Sequence, residues 1–173
     1  MAALPRMVNT EPMTQRVELA TVRDRLALDG LVTDYAVAVD DGDWAAYRRL
    51  FTADGRADHR GAGGIEGDAG TVAGWLAERS AEFPVRQLLL VNRRVRLGTW
   101  EGDAGDTAEV RADYVSPASR GGEADGAGGL DLLSGGRCLF TTVRTPDGWR
   151  LSRVVVDERW RSPTGGRADD VID

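Results

Sequence analysis

Apolar residues in the first quarter of the chain recur at helical spacing. Leu28, Leu31, Val32, Tyr35 and Val39 fall at i, i+3, i+4, i+7 and i+11, one face of an amphipathic helix. The pattern predicts a helix over 17–41, with Thr21 and Asp24 as a variant capping box and Gly42 as its stop. Asp43 is placed to cap a shorter helix whose apolar side is Trp44, Tyr47, Leu50 and Phe51. A short strand is expected over 56–60, where alternation puts Ala57 and His59 on one face and Arg56, Asp58 and Arg60 on the other. After a glycine-rich loop over 61–67, Asp68 caps a third helix carrying Val72, Trp75, Leu76 and Phe83 and stopped by Pro84.

Beyond Pro84 the period shortens to two. Strands are expected over 88–97, 107–115, 137–143 and 149–160, with Arg93, Arg94 and Arg96 reaching solvent and Gly/Asp-rich turns between. Residues 116–136, rich in Gly and Ser, read as a flexible insertion in a strand connection. Three helices followed by a run of strands is an α+β signature. The expected organisation is a flexible leader over 1–16, one domain over 17–161, and a disordered polar tail over 162–173.

Composition narrows the chemistry. The 173 residues are 42% hydrophobic and 29% charged, as in a folded domain. No apolar run is long enough for a bilayer, and no secretory signal is visible near the start, so a cytoplasmic protein without a membrane partner is expected. A net charge of −6 argues against nucleic acid. The chain has no Lys, which excludes Schiff-base chemistry and a phosphate-loop lysine. One His and one Cys make a zinc site or a disulfide poor readings, so neither metal nor cofactor is expected. The spacing Gly61-x-Gly63-x-x-x-Gly67 resembles a nucleotide loop, but no βαβ unit surrounds it, and it reads as a flexible connection.

Three segments, in order, resemble the SnoaL-like branch of the nuclear-transport-factor-2-like superfamily. They are 35–44 (YAVAVDDGDW) with 50–54 (LFTAD), then 67–76 ending in Trp75-Leu76, then 135–137 (GGR) with 144–150 (RTPDGWR) and Trp160. The resemblance implies a cone-shaped, curved antiparallel β-sheet wrapped by three N-terminal helices and enclosing one apolar pocket. It also implies a small hydrophobic substrate and a homodimer or higher homo-oligomer.

The same resemblance nominates site residues. Asp40 stands where scytalone-dehydratase-like members carry the acid of an Asp–His pair. Their histidine lies four residues before an Asn, here Asn92, and that position is Leu88, so the inherited pair is broken. His59 is the one imidazole left; it aligns with the general-base aspartate of ketosteroid isomerase, and imidazole suits proton abstraction near neutral pH. Tyr35 matches that isomerase's oxyanion-hole tyrosine. Its second oxyanion group falls near Asp113 and Tyr114, with Tyr114 the better pocket residue. Arg144 matches an arginine near the dehydrochlorinase site, while Trp44 and Trp75 read as core or pocket wall. The expected function is a cofactor-independent enzyme of small-molecule, polyketide-like metabolism, using Asp40 and His59 for cyclisation, isomerisation or dehydration. The alternative is a shape-templating cyclase or a ligand-binding protein using the same pocket.

Overall fold

A computed structural model describes residues 13–98, 105–121 and 129–164. Helix α1 (Met13–Asp41) starts four residues ahead of the expected Val17. Thr21 is therefore interior to the helix, and Asp24 does not cap it. Its carboxylate instead accepts from Arg144 at 2.9 and 2.7 Å and from Trp149 Nε1 at 3.2 Å. Gly42, at φ 67, ends the helix as expected. Asp43 and Asp68 cap α2 (Trp44–Arg49) and α3 (Ala69–Glu82), accepting from Ala46 N and from Gly70 and Thr71 N respectively.

The strands are β1 (Phe51–Gly61), β2 (Glu66–Asp68), β3 (Val85–Arg86), β4 (Leu89–Leu97), β5 (Thr107–Ser119), β6 (Leu132–Thr145) and β7 (Gly148–Pro163). They form a seven-stranded sheet in the order β2-β1-β7-β6-β5-β3, with β4 also pairing β5. The fold is the expected α+β cone, with one addition: β1 runs parallel to β7, so the curled sheet is mixed. The glycine-rich loop is a tight β1–β2 hairpin, not a flexible connection. His59 N donates to Ile65 O at 2.8 Å, Gly64 N to His59 O at 2.9 Å, and Gly63 takes φ +74.

The segment over 116–136 departs most from expectation. Ser116, Pro117 and Ala118 pair with Ser134, Leu133 and Leu132, continuing the β5–β6 ladder without a break. Residues 122–128 of that segment lie outside the described chain. Glycine here supplies room: a Cβ on Gly135 would enter the Trp160 ring, and one on Gly136 would meet β7 backbone and the Tyr114 ring.

The core sits between α1, α3 and the concave sheet face. Leu28, Val32, Val72, Val110, Phe140, Leu151 and Val154 are fully buried, each contributing about 1.5–3 kcal/mol of burial free energy. Arg93 and Arg144 are among the arginines that fasten α1 to the sheet. Arg93, turned inward rather than to solvent, donates to Asp29 Oδ1 at 2.8 Å and Thr33 Oγ1 at 2.7 Å. Arg144 grips Asp24, reaches Asp106 at 3.3 Å and lies 4.5 Å over the Trp149 ring. No described helix is long and apolar enough to cross a membrane.

Replacing Arg144 with Met removes a bidentate charge-assisted pair and a cation–π contact at a partly exposed position. The expected loss is about 1–2 kcal/mol, or roughly 2–8 °C in Tm, by thermal unfolding. A change under about 0.3 kcal/mol would show that the clamp does not hold α1.

Candidate active site

A cavity of about 170 Å³ opens between the C-terminal half of α1, α3 and the concave sheet face. Its wall includes Tyr35, Val39 and Asp40 from α1, His59 from β1, and Leu76 from α3. Arg86 and Leu88 flank the β3–β4 junction, and Tyr114, Ser116, Ser134, Cys138, Val156 and Glu158 come from β5 to β7. Asp40, His59, Tyr35, Leu88 and Tyr114 of the expected set thus meet in one space. Trp75 stands behind it, its ring 5.6 Å from that of His59 and against Gly64, whose missing Cβ makes the approach possible.

The other candidates lie elsewhere. Arg144 fastens α1 at the Trp149 end, outside the cavity wall. Asn92 adopts φ 52 in a β4 bulge and donates to Asp113 Oδ2 at 3.1 Å, outside the cavity wall. The bulge adds a residue and reverses the alternation that would have turned Asn92 inward. Trp44 packs edge-on to Tyr47, with centroids 6.2 Å apart, as core rather than cavity wall.

His59 is 7% exposed and its Nε2 lies 3.4 Å from Tyr35 Oη. Burial drives its pKa down to about 4, against a smaller opposing pull from Asp58. Asp58 itself is held at about 2, chiefly by its hydrogen bonds from Arg60, on the opposite face of β1. At neutral pH the imidazole is therefore uncharged, with one ring nitrogen a donor and the other an acceptor. Burial raises Tyr35 well above the usual phenol range, so it remains a donor. Tyr47 lies beside it, rings 5.4 Å apart; the two hydroxyls affect each other electrostatically but fall outside hydrogen-bond geometry, and Tyr47 Oη is buried without a partner among the described residues.

Asp40 has taken a different bond from the one its position implies. With leucine at 88, Asp40 Oδ1 accepts the backbone N–H of Leu88 at 2.7 Å. Burial raises its pKa, while that N–H and Arg86 oppose the rise. Arg86 in turn donates to Val39 O at 3.1 Å and to Phe83 O at 3.4 Å, placing a cation at the C-terminal ends of α1 and α3. Cys138 lines the cavity, but burial pushes its thiol up to about 12 and leaves it unreactive.

Ser116, Ser134, Arg86 and Glu158 were not among the expected site residues. The two serines fell inside the stretch read as an insertion. Glu158 was legible, since Val154, Val156 and Glu158 continue one period-two face. No group of three His, Cys, Asp or Glu side chains arranged for a metal occurs among the described residues.

The acid dependence of stability has a definite sign. His59 binds fewer protons folded than unfolded between about pH 4 and 6.5, so its contribution is complete above 6.5 and is lost as pH falls through that window. The loss reaches at most about 3 kcal/mol near pH 4. Asp58, with its lowered pKa, acts only below that range. Because His59 is the single histidine, its ring protons can be titrated by NMR without ambiguity; a midpoint near 6.5 would contradict the buried, neutral assignment. The His59→Gln variant should lose most of the stability slope between pH 4 and 6.5.

The profile of the SnoaL-like domain matches residues 20–155 of the chain. The chain is 34% identical over 139 residues to the uncharacterized protein Rv2910c of Mycobacterium tuberculosis, covering 80% of this chain and 88% of that one. Protein Mb2934c of Mycobacterium bovis matches with the same identity and coverage. Among solved structures, Kfla4162 from Kribbella flavida superposes with a TM-score of 0.68 at 22% identity, covering 82% of this chain and 95% of that one. A hexachlorocyclohexane dehydrochlorinase (LinA) superposes with 0.69 at 15% identity, covering 86% and 94%. Likeness at these identities shows a shared fold. The match across most of its length settles the wider relationship: this chain belongs to the SnoaL-like domain family.

Proposed function

We propose that the protein is a cofactor-independent enzyme that moves a proton on a small, oxygenated ring substrate. The observation that carries this reading is a buried, neutral His59 with Tyr35 Oη at 3.4 Å, both lining an apolar cavity. That separation is at the loose end of hydrogen bonding, so a substrate can take both partners at little cost. His59 Nε2 accepts the proton from a carbon next to a carbonyl, and Tyr35 donates to the oxygen on which negative charge develops. The imidazolium then returns its proton to another carbon, an isomerisation, or to a departing hydroxyl, a dehydration. Asp40, with one oxygen tied to Leu88 N, serves as a second proton carrier or as an orienting carboxylate.

Cavity size restricts the substrate. About 170 Å³ is below the 300–1,000 Å³ typical of drug-sized ligands and near that of cavities that accept a single benzene-sized ring. One ring, or two fused, fits this reading better than a multi-ring polyketide. The shape-templating alternative draws on Leu88, which makes the wall more apolar. A flat rate profile between pH 5 and 9 does not favour it, because a base titrating near 4 gives the same flat profile.

Deuterium uptake from D₂O at the α-carbons of small cyclic ketones and hydroxyketones, followed by NMR, tests the reading. Exchange should be catalysed, level above pH 5 and falling toward a midpoint near 4. His59→Gln should slow it by about 10²–10⁴-fold, and Tyr35→Phe by about 10–10³-fold. Background exchange across the ketones, or catalysis that survives His59→Gln within threefold, sinks the mechanism.

A further inference from the structure

The concave wall carries a second polar group that the proton-transfer reading leaves unused. In antiparallel strands, directly paired residues share a face. The pairings Tyr114↔Gly136↔Glu158 and Ser116↔Ser134↔Arg161 therefore form two successive rows across β5, β6 and β7. The preceding row is Ala112↔Cys138↔Val156; His59 follows Asp58, which pairs with Val155, and lines the same cavity as Val156. From Cys138 to Ser134 is four residues, about 13 Å at roughly 3.3 Å each.

This second group is built to bind. Tyr114 and Ser134 are 5% and 7% exposed, and with Ser116 they line the cavity. None of the three hydroxyls has a hydrogen-bond partner among the described residues, and none is sealed away from the cavity as Tyr47 Oη is sealed in the core. Glu158, its side chain 16% exposed, is fixed by Arg161, whose Nε and Nη2 donate to its two oxygens at 2.9 and 3.0 Å. Each carboxylate oxygen keeps a further lone pair. Hydroxyls that can donate or accept thus stand beside an acceptor-only carboxylate. That combination matches an O–H, which donates to Glu158 and accepts from a serine or tyrosine. It disfavours a carboxylate, which Glu158 would repel, and it leaves Glu158 unmatched by an ether or hydrocarbon.

We infer that Tyr114, Ser116, Ser134 and Glu158 form a second subsite for a neutral hydroxyl or phenol at the end of the substrate remote from His59. The inference rests on the small-ring reading above and adds that the ring is oxygenated at both ends. Arg161 is a positioning residue: it holds the carboxylate of Glu158 and lies on the far side of it, against the neighbouring Leu132 and Pro163 groove.

Three probes separate the possibilities by calorimetry on the full chain: 2-naphthol, 2,6-dihydroxynaphthalene and 6-hydroxy-2-naphthoate. The diol should bind at least about tenfold more tightly than 2-naphthol, and tighter than the carboxylate by a similar factor. In the Ser116→Ala/Ser134→Ala double variant the diol and 2-naphthol should converge to within about threefold. Glu158→Gln should relieve the rejection of the carboxylate. Equal binding of 2-naphthol and the diol by the wild-type chain overturns the subsite alone, as does a carboxylate that binds tightest or a diol preference that survives the double variant. If none of the three binds, the small-ring reading falls, and the subsite with it.

Discussion

A sheet of seven strands can enclose a cavity only if it bends sharply, and here strand register breaks at several points. β1 slips against β7 between Phe51 and Arg56 and again between Asp58 and Gly61; β4 slips against β5 at Asn92; β7 slips against β6 at Gly135–Gly136. Bulges add local twist and bend the strand that carries them. Two of these bends need glycine for close approach. Gly55 has Leu151 O and the Phe51 side chain within 3.0 Å of where a Cβ would sit. Gly136 meets β7 backbone and Tyr114 in the same way. The curl in turn brings α1, β1 and β7 close enough for Tyr35 and His59 to touch.

That dependence explains which parts of the fold were legible in the chain. Helical spacing, the capping aspartates at 43 and 68, and the Gly42 stop are local signals, and they placed α1 to α3 to within a few residues. Of the expected strands, β4 was drawn to its full length and β1, β5, β6 and β7 were drawn short, while the brief β2 and β3 were missed. The stretch over 116–136 misled through its composition. Gly135 and Gly136 resemble loop composition, yet in the sheet they are the flat ground on which Trp160 and Tyr114 rest. A residue type suited to flexibility is equally suited to close packing, and only the partner strand decides between them.

The site was legible in part for similar reasons. Tyr35 and His59 sit on clean helical and alternating faces, so their inward direction follows from period alone. Asn92 failed because one bulge residue reverses the face it presents. Arg144 failed because its partners, Asp24 and Trp149, are 120 and 5 residues away in sequence, and the longer of those contacts leaves no local trace. Glu158 could have been found by extending the Val154–Val156 alternation two residues further.

The leucine at position 88 has a consequence for Asp40, whose carboxylate finds a backbone donor there. A carboxylate in a half-buried place must find a donor or gain a proton. Asp40 does the former, through the Leu88 backbone, and Arg86 supports it from the ends of two helices. On the proposed reading the proton-accepting role falls to His59 on β1, where burial rather than an anionic partner sets its state. An Asp–His pair raises the basicity of its imidazole; burial in a dry wall lowers it, and in return keeps the ring uncharged throughout the physiological range. Such a base is weak, so it suits acidic carbon–hydrogen bonds flanked by a carbonyl whose oxygen a neutral tyrosine can stabilise. The acidity of the substrate, more than the strength of the base, would then set the range of reactions open to this cavity.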